Sequence, residues 1–77
     1  MIQLSQTEIE LGFAASCIES VARKLGRPYN EIVARMKRVE LLENYILPCY
    51  DVLHSESREH LTDNIIECLT NWEKAKL

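Results

Sequence analysis

Apolar residues recur at intervals of three and four along almost the whole chain, the period of an α-helix with one side turned to a core. In the first stretch Leu11, Ala14, Ala15, Ile18, Val21, Ala22 and Leu25 form one such stripe. Ahead of it, Ser5-Gln6-Thr7-Glu8 is a capping box, with Leu4 and Ile9 placed to form a hydrophobic staple. Gly26 supplies a left-handed stop, and Pro28 suits the first turn of a following helix. The pattern predicts a helix over residues 5–25. A second, over 28–38, buries Tyr29, Ile32, Val33 and Met36 and turns Arg35, Lys37 and Arg38 to water. Leu41, Leu42, Tyr45, Ile46, Cys49, Val52 and Leu53 predict a third over 40–54. Pro48 removes a backbone bond from it and clashes with the preceding turn, at about 3 kcal/mol, so a kink or break is expected near Ile46 and Leu47. Ser55 and Ser57 offer capping hydroxyls before a fourth helix over 57–74, with Leu61, Ile65, Cys68, Leu69 and Trp72 on one side. No segment alternates like a strand. The expected fold is all-α, a compact bundle or orthogonal array of four helices forming a single domain over residues 1–77.

The size of the chain sharpens this picture. A 77-residue chain buries only about 60 to 65% of its unfolded surface, so docking on a partner or on a second copy is a natural source of added stability. No apolar run approaches the roughly 20 residues of a membrane span, and Met1-Ile2-Gln3-Leu4 lacks the basic start and apolar core of a secretory signal. The expectation is a cytoplasmic protein without a membrane partner. Cys17, Cys49 and Cys68 are odd in number and widely spaced, which suits reduced, helix-buried thiols and no disulfide framework.

Charge is the least even feature. Arg23, Lys24, Arg27, Arg35, Lys37 and Arg38 share a stretch whose only acid is Glu31, leaving +5 there and -8 elsewhere within the net -3. A surface divided in this way suits a partner-binding module, with Arg27, Arg35, Lys37 and Arg38 as candidate contacts.

Candidate chemistry adds little. Cys49, His54 and His60 carry zinc-type donors but lack the paired short spacings of zinc sites, so no metal is expected. No nucleophile, base and orienting group stand in a recognisable arrangement, so neither an enzyme nor a cofactor is expected. Carboxylates such as Glu8, Glu10, Glu19, Asp51, Glu56, Glu59, Asp63 and Glu67 decorate outer helix faces. His54, closing the third helix, suits a residue that bonds free carbonyls there. Residues 21–38, with Ala22, Gly26 and Ile32, have the order of a DNA-binding helix-turn-helix, although Arg27 and Arg35 stand where that motif favours apolar residues. Tyr29, Tyr45, Tyr50 and Trp72 read as core and not as a base-stacking platform.

Phe13, Cys17-Ile18-Glu19, Ala22 and Gly26, followed by Tyr45-Ile46 and Tyr50-Asp51-Val52-Leu53-His54-Ser55, resemble a family of short bacterial proteins, domain of unknown function 3791. The resemblance singles out Tyr50, Leu53, His54 and Ser55 as a motif, while Pro48 departs from the family's uninterrupted helix. It implies an all-helical protein without an established activity. It also implies a genomic setting beside toxin-like ADP-ribosyltransferases, and hence an antitoxin or regulatory partner. Two readings follow: a non-catalytic protein-interaction module, which homo-oligomerisation would suit, and a DNA-binding regulator using residues 21–38.

Overall fold

A computed structural model describes residues 4–76; Met1, Ile2 and Gln3, read above for a secretory signal, and Leu77 lie outside the described residues. Helix α1 (Gln6–Leu25) starts on the capping box: Glu8 N–H donates to Ser5 Oγ, and Ser5 N–H to Glu8 Oε1, both at 3.2 Å. It stops at Gly26, whose φ of 66° is left-handed, and the Arg27 N–H returns to Ala22 O at 3.0 Å to satisfy a terminal carbonyl. Pro28 is the residue before α2 (Tyr29–Val39), one position earlier than the expected first turn. Helix α2 then ends on Glu40 at φ 57°. The residue expected to open a third helix is therefore the stop of the second.

The expected helix over 40–54 is divided. Pro48 has no N–H to give and its ring crowds the turn before it. The chain widens there: Leu47 N–H reaches back five residues to Leu42 O at 2.9 Å, making Leu42–Ile46 a π-helical turn. After a turn at 47–49, a single helical turn, α3 (Tyr50–Leu53), leads to α4 (Arg58–Ala75), capped by Ser57 Oγ accepting from His60 N–H at 3.3 Å. The break falls where Pro48 requires it. Five helical segments result, with no strand among the described residues. In place of four packed helices, three longer ones, α1, α2 and α4, pack pairwise, and the π-turn and α3 add side chains to their core.

That core is the set of stripes read from the sequence. Val21, Ile32, Met36, Leu41, Ile46, Ile65 and Leu69 are fully buried, with Cys17, Ile18, Leu53 and Leu61 beside them. Five residues of the expected apolar stripes lie outside: Tyr29 and Leu25 at the α1–α2 corner, Ala15 on α1, and Val52 and Leu11, which are 66% and 56% exposed. Leu4 and Ile9 are exposed too, so the anticipated staple buries little. All buried residues of α1 lie at or after Ala14, and its first two turns carry none. The molecule measures 46 × 23 × 22 Å.

Candidate functional site

The basic stretch is largely neutralised by the fold. Arg23 pairs with Glu19 one turn away at 2.6 Å, and Arg27 grips Glu31 through two bonds of 2.6 and 2.5 Å. Lys24 meets Asp63 of α4. Arg35, expected to face water, is half-buried and holds Glu73 of α4 with bonds of 2.8 and 2.7 Å. The hydrogen bonds from Arg35 lower the Glu73 carboxyl below its ordinary range, outweighing the opposing effect of burial, and the bonds from Arg27 do the same for Glu31. Acids remote in sequence, Asp63 and Glu73, are thus brought onto bases of α1 and α2.

Lys37 and Arg38, in the last turn of α2, have no ion-pair partner among the described residues. Neither do Lys74 and Lys76 at the end of α4. Cations at helix C-termini face the negative end of the backbone dipole, which makes these positions locally favourable. The two ends meet. Two adjoining depressions of about 290 and 340 Å³ share Val39 and Lys76: Trp72 and Ala75 line one, and Arg38, Thr70, Glu73 and Lys74 line the other. Because Glu73 is held by Arg35, the three cations around this groove face no free carboxylate within it. The result is a basic rim around an apolar floor of Val39, Trp72 and Ala75. Trp72, read as core, is half-buried, its ring centre 6.2 Å from that of Tyr45.

Of the four candidate contacts, Lys37 and Arg38 form no ion pair among the described residues, whereas Arg27 and Arg35 are engaged. Sequence reasoning missed Lys74, Lys76 and the floor. The available signal was Lys at the end of the last helix; which two helix ends meet is a tertiary fact.

The block Tyr50, Leu53, His54 and Ser55 is built into the scaffold. The Tyr50 ring packs edge-on against Phe13 at 5.2 Å and stacks on His54 at 4.5 Å. His54 Nδ1 lies 2.7 Å from Tyr50 O and Ser55 Oγ donates to Val52 O at 2.8 Å, so both close the end of α3. Leu53 is buried. Asn64 links the π-turn to α4, donating to Tyr45 Oη at 3.0 Å and lying 3.8 Å from Cys68 Sγ. Burial raises the Tyr45 hydroxyl. The Cys17 thiol is likewise raised by burial, against the opposing pull of Arg58, so it stays protonated at neutral pH. All three cysteines are free; Cys17 is buried and Cys49 and Cys68 half-buried. Among the described residues no three His, Cys, Asp or Glu side chains gather as a metal site would require. No helix among them is long and apolar enough to cross a membrane.

Comparison with curated proteins and with solved structures gives no match. A family model described as "Protein of unknown function (DUF3791)" matches residues 12–72, which takes in α2, α3 and most of α1 and α4, and the chain belongs to that family.

Proposed function

We propose that the protein is a small non-catalytic interaction module that docks on another protein through the groove between the ends of α2 and α4. The observation that carries this reading is the basic rim of Arg38, Lys74 and Lys76, free of ion pairs among the described residues, around the floor of Val39, Trp72 and Ala75. Apolar contact supplies affinity once water leaves, and the rim selects orientation and speeds encounter with an acidic surface. The complementary partner segment is amphipathic and acidic. An antitoxin or regulatory partner of a toxin-like ADP-ribosyltransferase is the sharpest form of this reading, and its support is the family resemblance. DNA binding through residues 21–38 is less well supported, since four of the six bases in that stretch already hold carboxylates.

The test is co-purification with the product of the neighbouring gene, using wild type and a variant carrying Lys37→Glu, Arg38→Glu, Lys74→Glu and Lys76→Glu. Reversing the rim together with the adjacent Lys37 is expected to weaken capture at least about tenfold. Undiminished capture by the reversed variant rejects the groove as the docking site.

A further inference from the structure

We infer that the groove also accepts a second copy of this chain, by receiving the exposed amino-terminal turns of its α1. This rests on the reading of the groove as a docking site. The first two turns of α1 and the residue before its cap carry apolar side chains that the monomer leaves in water: Leu11 in the helix and Leu4 ahead of it are more than half exposed, and Ile9 is 38% exposed. Glu8, Leu11 and Ala15 follow one another at spacings of three and four within α1, so they share one face. Gly12, beside Leu11, has open space where a side chain would stand, which lets another surface come close to the helix. Acids flank these residues. Glu8 is bonded only within the cap and Glu10 only to Gln6, so neither is neutralised by a base among the described residues. An acidic segment with exposed leucines is the complement of a groove with a basic rim and an apolar floor. The same chain carries both.

A head-to-tail contact of this size is weak, since a few helical turns fall short of the roughly 1,200 Å² at which stable interfaces begin. The test is sedimentation of the full chain over a range of concentrations and salt. Mass is expected to rise with concentration, and association to weaken about tenfold when salt screens the charges. Leu11→Lys, a change at an exposed position, is expected to leave the helical circular dichroism intact and abolish association. Glu10→Lys alone and Lys74→Glu/Lys76→Glu alone are expected to be monomeric, and their mixture to associate. A chain that stays monomeric at millimolar concentration overturns the inference. So does association that survives high salt and both charge reversals, which would point to pairing of α1 with α1. Neither outcome touches capture of a foreign partner by the groove, which the four-fold reversal measures separately.

Discussion

Among the described residues, two sit where the backbone favours glycine, and one of them is not a glycine. Gly26, at φ 66°, was legible because a glycine after a run of helical period is the usual stop. Glu40 makes the same turn at φ 57° with a side chain, and nothing in its identity announces it. A left-handed non-glycine residue costs on the order of 1 kcal/mol. Glu40→Gly is therefore expected to raise stability by about 0.5 to 1 kcal/mol, read as a higher urea midpoint with an unchanged slope. Gly12 is the converse, a glycine inside a helix with nothing near the place of a methyl group. Gly12→Ala is expected to stabilise the monomer by about 0.5 to 1 kcal/mol through helix propensity. In sedimentation it is also expected to reduce self-association, because the added methyl group keeps the docking surface away.

At the scale of elements, the two best-capped helices were read nearly to the residue, because α1 and α4 carry their stop or start signals locally, in Ser5, Glu8, Gly26 and Ser57. The stretch between α2 and α4 was not. Its apolar spacing fits one helix, and Pro48 marks the break, yet the response of the chain, a π-helical turn and then α3, depends on which carbonyls the core lets move. The motif Tyr50-x-x-Leu53-His54-Ser55 gains a physical role here: it holds a four-residue helix that is too short to persist alone. His54→Ala removes the bond to Tyr50 O and the ring stacked on Tyr50. The expected cost is about 0.5 to 1 kcal/mol in chemical denaturation. Partner capture through the groove should be unchanged, whereas a selective loss of capture in a fully folded variant would assign His54 to binding.

For the whole molecule, the division of charge along the sequence is not the division of charge in space. A count along the chain makes residues 23–38 one basic surface, but packing α4 against α1 and α2 brings Asp63 to Lys24 and Glu73 to Arg35. The bases left over gather at two helix ends far apart in the sequence. Pair geometry therefore also sets the acid stability of the fold. The hydrogen bonds from Arg35 hold the Glu73 carboxyl below its unfolded value, so the folded state favours the ionised form. The stability this contributes is present above the usual carboxylate range and is lost as pH falls through the lowered folded value. A half-buried, doubly bonded pair of this kind is worth about 1 to 2 kcal/mol, against a total of roughly 4 to 12 kcal/mol for a domain this size. Glu73→Gln is accordingly expected to lower the urea midpoint at pH 7 and to differ much less from wild type at a pH below the lowered carboxyl value, where both side chains are uncharged. A gap that stays constant between those two pH values would trace the loss to packing between α2 and α4, and the tie between these helices would then owe nothing to the ionised pair.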